Sequence, residues 1–241
     1  MRSKAKPARK RPTVKRKRYR VLVVGDTHCP VMHEDYIDHL RQVYREYRCD
    51  RVVFIGDVID LSSVSYHEKD PEMPAAAHEL AAAMVQVEQL KKAFPKASVM
   101  TGNHDCLGDR KAVSSGIPRE MMRKPKQFLR TPGWRWYPSK TTMQIDKVKY
   151  AHGDRGKSGA FAAYKNAVEE GSSYVMGHLH TQGGVWYHAN ESKLIFGLSV
   201  GCGIDRHAIA MRYAAGLSQK PLLGCGVVIE GTQGFFIPME M

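Results

Sequence analysis

The sequence predicts an α/β fold, on three observations. Short, β-branched apolar runs alternate with stretches of helical periodicity through the first hundred residues. Five such runs lead into segments that combine glycine with Asp, Asn or His. Finally, at 241 residues and 43% hydrophobic, the chain is long enough for one sizeable core and has the apolar share of an ordinary globular protein.

The first strand is Val21 to Val24, apolar at every position and therefore suited to burial on both faces; it ends in Gly25, Asp26, Thr27 and His28. Tyr36, Ile37, Leu40, Val43, Tyr44 and Tyr47 then recur at helical spacing and predict a helix over residues 34–48. Val52 to Ile55 form the second buried strand and deliver Gly56 and Asp57. An alanine-rich helix follows over residues 74–93, with Pro95 just beyond its end. Ser98 to Thr101 form the third strand and end at Gly102. This β-α-β-α-β order implies parallel strands joined by right-handed crossovers, which gathers the three carboxyl ends on one edge, where open α/β sheets place ligands.

Residues 106–135 form a basic insert in which Pro118, Pro125 and Pro132 interrupt any long helix while Arg119, Arg123, Lys124, Lys126 and Arg130 line it. Trp134 and Trp136, two apart, read as same-face strand residues directed at the core more readily than as base-stacking platforms. Met143 to Ile145 and Val148 to Ala151 flank an Asp146-Lys147 turn and lead to His152. A helix over residues 158–170 stops at Gly171, and Tyr174 to Met176 enter the segment Gly177 to His180. Two hairpins complete the chain: Val185 to His188 with Leu194 to Leu198, and Gly226 to Glu230 with Phe235 to Pro238.

Alone, Asp-x-His after a strand reads equally well as a turn carboxylate beside a surface histidine. Repetition overturns that reading: Gly56-Asp57, Gly102-Asn103-His104-Asp105, His152-Gly153-Asp154 and Gly177-His178-Leu179-His180 bring the same kind of group to later strand ends. Across residues 20 to 200 these segments resemble the calcineurin-like metallophosphoesterase superfamily. The resemblance implies a four-layer α/β/β/α sandwich of two mixed β-sheets flanked by helices, in a single domain over residues 19–241. It implies two divalent metals: Asp26, His28 and His180 on the first, Asp57 bridging, and Asn103, His152 and His178 on the second. It also implies a metal-activated hydroxide as nucleophile and His104 as a phosphate contact and general acid, with Asp105 suited to orient its ring. Arg206 and His207, after the Gly201 to Gly203 loop, are further candidates for substrate contact together with Asn103. Asp60, Asp154 and Arg155, close to the motifs, read as structural hydrogen-bonding groups. Mn²⁺ suits the mixed oxygen and imidazole ligands, with Zn²⁺, Fe or Ni²⁺ as alternatives.

Substrate class has to be sought outside the metal ligands. Residues 1–20 hold eleven Lys or Arg and no acid, and residues 105–150 hold eleven bases against four acids, within a net charge of +13. Met1 to Arg18 cannot bury enough surface to offset the entropy of ordering, so a disordered basic tail is expected, one that tracks a phosphate backbone or simply stays solvated. The chain has Gly-Asn-His-Asp where phosphoprotein phosphatases of the superfamily carry Gly-Asn-His-Glu, and Leu61-Ser62 follows Asp60 in place of their Arg-Gly. The leading expectation is therefore a phosphodiesterase or nuclease acting on nucleic acid. A phosphomonoesterase is the alternative, and a nucleic-acid-binding protein with a vestigial site the third. No apolar run approaches the roughly 20 residues that cross a bilayer, and the basic start is unlike a secretory signal, so a cytoplasmic protein without membrane contact is expected. The five cysteines are widely spaced and form no Cys-x-x-Cys pair, consistent with reduced thiols.

Overall fold

The computed structural model describes residues 18–66, 71–208 and 220–240. The expected tail therefore lies outside the described residues except for Arg18. Within them the chain runs β1 (Arg20–Val24), α1 (Tyr36–Glu46), β2 (Arg51–Phe54), α2 (Ala76–Ala93), β3 (Ala97–Met100), α3 (Leu107–Ser114), α4 (Pro125–Phe128) and β4 (Trp134–Tyr137). It continues through β5 (Met143–Ile145), β6 (Val148–Ala151), α5 (Ala162–Glu169), β7 (Tyr174–Met176), β8 (Gly183–Ala189), β9 (Leu194–Val200), β10 (Gly224–Ile229) and β11 (Gln233–Pro238). No described helix is long and apolar enough to cross a membrane.

Two mixed sheets form. The first has the order β11-β10-β1-β2-β3-β4, with β1 to β4 mutually parallel and β10 antiparallel to β1; the second has the order β5-β6-β7-β9-β8, with β6, β7 and β9 parallel. Period-two alternation assigns each strand's residues to a layer. Leu22, Val24, Val52 and Phe54 face α1 and α2, where they meet Leu40, Val87 and Leu90. Val21, Val23, Val53, Ile55 and Met100 face the second sheet and pack on Tyr150, Val175, Phe196 and Leu198. The second sheet's far side, through Tyr174 and Met176, receives the small residues Ala162, Ala163 and Ala167 of α5. The layers are thus helices, sheet, sheet, helix. Gly197 permits the close approach of α5, since a Cβ there would lie 2.3 Å from the backbone of Ala163 and Tyr164.

The expected strands and long helices all form, with two adjustments. The helix expected over residues 158–170 starts only at Ala162, because Gly156 and Gly159 adopt positive φ in the preceding loop. The basic insert contains α3, a turn of 3-10 helix at Arg119–Met121 and the short α4. Trp134 is buried and stacks on Phe54 at 4.5 Å between ring centroids, and Trp136 packs against the same core, so both serve the interior. All five cysteines are free thiols.

Candidate metal centre

Five parallel strands, three from one sheet and two from the other, point their carboxyl ends at the same place. β1 delivers Asp26 and His28, β2 delivers Asp57, and β3 delivers Asn103 and His104; β6 and β7 of the second sheet deliver His152 and then His178 and His180. The turns are tight enough that His28, Asp57 and His178 take positive φ, at 43°, 46° and 65°. Such a backbone costs a non-glycine residue about 1–3 kcal/mol, and it is found where surrounding structure fixes a functional group. Gly102 and Gly177 make the close approach possible: a Cβ on Gly102 would lie 2.1 Å from Asp57 Oδ1, and one on Gly177 2.3 Å from Asp26 Oδ1.

Two ligand sets result. Asp26, His28, Asp57 and His180 place one donor atom each within 4.8 Å of one another, and Asp57, His152 and His178 do the same. Asp57 belongs to both, as a bridging carboxylate must. Asn103 Oδ1 joins the second set, 2.9 Å from His152 Nε2. All seven expected ligands are therefore brought together.

The donor chemistry fits a pair of cations. His28 Nδ1 lies 2.7 Å from Asp60 Oδ1 and His152 Nδ1 lies 3.2 Å from the Ile55 carbonyl, so each ring donates its Nδ1–H to a fixed acceptor and leaves Nε2 as a lone-pair donor. Those Nε2 atoms face carboxylate oxygens and another imidazole: His28 Nε2 is 3.1 Å from His180 Nε2 and 3.6 Å from Asp57 Oδ2, and His152 Nε2 is 3.2 Å from Asp57 Oδ2. A cation between these facing groups would satisfy them together. Consistently, Asp26 Oδ1 and Asp57 Oδ2 are buried with no hydrogen-bond partner, a costly arrangement unless a cation completes it.

Electrostatics in the metal-free chain show how strained this arrangement is. Burial acts to raise the Asp57 carboxyl, but His152 and His28 beside it outweigh burial and hold it far below the ordinary carboxylate range. Burial acts to lower His152, yet Asp57 and Asp26 outweigh it and raise its pKa to about 10. His28 and His178 are lowered, chiefly by burial.

His104 stands beside the first ligand set, its ring 4.5 Å from that of His28. Its Nδ1 lies 2.7 Å from the Asp60 carbonyl and 3.2 Å from Asp60 Oδ1. Burial opposes its protonation, but Asp60 more than compensates and lifts the pKa to about 9. His104 is therefore held by Asp60, through its backbone carbonyl with its carboxylate beside it, and not by the expected Asp105. Asp105 turns into the protein and accepts hydrogen bonds from the backbone N–H groups of Val58, Ile59 and Gly102, locking the turns of β2 and β3 together. Burial, with Asp57 nearby, raises its carboxyl to about 7. The turn that carries Asp60 is anchored in its turn by Glu79 of α2, which accepts from the Ser62 and Ser63 amides. The one sequence signal for Asp60 was its spacing, three residues after Asp57.

Arg206 and His207 lie on an exposed turn and contact each other, Nε to Nε2, at 3.2 Å; neither enters the two ligand sets. Their loop leaves the metal edge, since Gly203 N donates to the Asp26 carbonyl. Cys29 is fully buried and its thiol is pushed up to about 12; Cys106, partly buried, is pushed up to about 11, so neither is a nucleophile.

Solved structures similar to the chain include vacuolar protein sorting 29 from Cryptosporidium parvum, 14% identical with a TM-score of 0.44 over 88% of this chain and 86% of that one. Also similar are YfcE, a phosphoesterase from E. coli (15% identical, TM-score 0.41, 86% and 87% covered), and the nuclease MPE of Pseudomonas putida (13%, 0.41, 91% and 87%). No curated protein sequence matches significantly. The sequence profile described as calcineurin-like phosphoesterase matches residues 19–201, a span that begins one residue before β1 and includes every ligand of both sets. The chain belongs to the calcineurin-like phosphoesterase family.

Proposed function

We propose that the protein hydrolyses phosphodiesters in nucleic acid. The two sets would hold two divalent metals, which when bound would supply Lewis acidity to the phosphoryl oxygens and to water. The chain's own contribution is positional. Asp26, His28, Asp57 and His180 would hold one metal, and Asn103, His152 and His178, with Asp57 shared, the other. His104 keeps Nδ1 committed to Asp60 and therefore carries its transferable proton on Nε2, suited to the departing oxygen.

The observation that favours a polymer is a pair of cations at the rim. Arg110 and Lys111, on the helix that begins three residues after His104, lie over the ring of Tyr66, Lys111 Nζ at 3.7 Å and Arg110 Cζ at 5.3 Å from its centroid. Tyr66 is 54% exposed, and neither cation has an acidic partner among the described residues. Lys111 follows His104 by seven residues, on the second turn of α3, so the pair stands on the element that leaves the candidate metal centre. A small monoester has nothing to offer such a pair.

Turnover of a small phosphodiester, a phosphomonoester and labelled single- and double-stranded DNA and RNA, with Mn²⁺, tests this reading. Asp57→Asn should abolish all turnover. Replacing Arg110 and Lys111 with Ala should weaken polymer cleavage on the order of tenfold in KM, and increasingly with salt, while sparing the small diester. Turnover of the monoester alone would replace this reading with a phosphatase.

A further inference from the structure

The pole of the molecule opposite the metal centre carries a second set of charged and aromatic groups. It lies towards the amino ends of β1, β2 and β3, where the gap between the two sheets opens, and is closed on one side by Tyr137 at the end of the edge strand β4. Alternation along the inner face places Tyr19 in line with Val21 and Val23, Arg51 with Val53 and Ile55, and Arg135 with Tyr137, which packs on the intersheet core. The inner face is apolar through the core. At the mouth it changes to arginine and tyrosine.

The arginines are laid on the tyrosines. Arg51 Cζ sits 4.3 Å from the Tyr19 ring centroid, and Arg135 Cζ 5.0 Å from that of Tyr137. Two adjoining cavities, of about 330 and 620 Å³, open here and share Arg51, Ser98, Tyr137 and Ile145, with Lys96 lining the larger. Arg51, Lys96 and Arg135 are exposed. Two acids are present, and both are engaged elsewhere: Asp146 Oδ2 accepts from the Tyr19 amide at 2.6 Å and Asp50 Oδ1 from the Arg20 amide at 3.0 Å. Among the described residues neither Arg51 nor Arg135 has an ion-pair partner.

A structural explanation, with arginine stems covering the open edge of a core, accounts for one such residue. It does not account for three exposed cations without an ion-pair partner among the described residues, and two tyrosines, around a cleft of ligand size. Guanidinium groups on aromatic faces beside an open groove suit a strand that offers phosphate and a base together. The position adds weight, because the chain enters this rim at Arg18 and Tyr19, directly after residues 1–17, which hold nine Lys or Arg and no acid.

We propose that this groove is an exosite for single-stranded nucleic acid, with Arg51, Lys96 and Arg135 on phosphates and with Tyr19 and Tyr137 backing the two guanidinium planes on which bases stack. It is remote from the metal centre, and it would hold a strand whether or not that centre cleaves nucleic acid.

Anisotropy of a fluorescent oligothymidylate, titrated with the full-length chain in the presence of a chelator so that no cleavage occurs, measures the site alone. Replacing Arg51 and Arg135 together with Gln should weaken binding on the order of tenfold and reduce the salt slope by about 1.4, the contribution of two phosphates on a single strand. Tyr137→Ala should weaken single-strand binding about fivefold or more and leave duplex binding unchanged. Turnover of a small ester by both variants at wild-type rate would show the fold and metal centre intact. Undiminished oligonucleotide affinity in the double variant, or no affinity in the wild-type chain, would overturn the exosite. Loss in the double variant without loss in Tyr137→Ala would overturn the base-stacking assignment. Failure of nucleic-acid cleavage with the exosite intact would count only against the proposed reaction.

Discussion

At the scale of single residues, the candidate metal ligands were legible as a cluster because their chemistry is local. Each follows a strand within four residues, so residue type and strand end together name it. The carboxylate behind His104 was not legible in that way. Asp105 is adjacent in sequence, but the turn after β3 commits it to three backbone amides, and Asp60 reaches the imidazole from the neighbouring strand's loop. Adjacency in sequence says little about which way a side chain leaves a tight turn. Asp60 therefore carries a prediction. At saturating metal, Asp60→Asn should slow esters with ribose or alkyl leaving groups on the order of a hundredfold, and p-nitrophenyl esters far less, since nitrophenolate departs without a proton. Comparison of kcat for the two substrate types checks it. Equal losses would show that Asp60 acts only by supporting His28.

At the scale of elements, the strands and long helices were legible from their periodicity, whereas the loop before α5 and the insert containing α3 and α4 were not. In the insert, prolines and charges give no stable period, and short helices are set by the packing of their neighbours. Glycines divide along the same line. Gly102 ends β3 against Asp57, and a methyl there collides with both Oδ1 and the backbone nitrogen at 2.4 Å; Gly108, inside α3, faces nothing within 4 Å. Thermal unfolding of the metal-free variants should separate them. Gly102→Ala should cost about 1–3 kcal/mol or more and impair metal uptake. Gly108→Ala should stabilise by about 0.5–1 kcal/mol through helix propensity alone.

At the scale of the whole molecule, the metal centre joins the two sheets. Asp26, His28, Asp57 and Asn103 come from the first, while His152, His178 and His180 come from the second. Added Mn²⁺ should therefore raise Tm of the entire cooperative unit, and a chelator should lower it. The effect should depend on pH with a definite sign. In the metal-free chain His152 is raised from 6.5 to about 10, so its charged pair with Asp57 stabilises fully below pH 6.5 and is lost as pH rises through 10. A ligand must be neutral, so metal displaces that proton, and the Tm gain at fixed Mn²⁺ should grow between pH 6.5 and 8. A gain that shrinks with pH would remove His152 from the ligand set. Sheet order was the least legible property at this scale. Nothing local in Val227 announces that it pairs with Leu22.

That pairing bears on how the protein is made. Every ligand of both sets has been translated by His180, yet the outer edge of β1 stays open until β10 leaves the ribosome, about 200 residues after β1 itself. At about 5–20 residues per second the nascent chain spends some 10–40 s with a hydrophobic strand edge uncovered. For that interval the growing polypeptide is a client for chaperones, although its metal ligands are already complete.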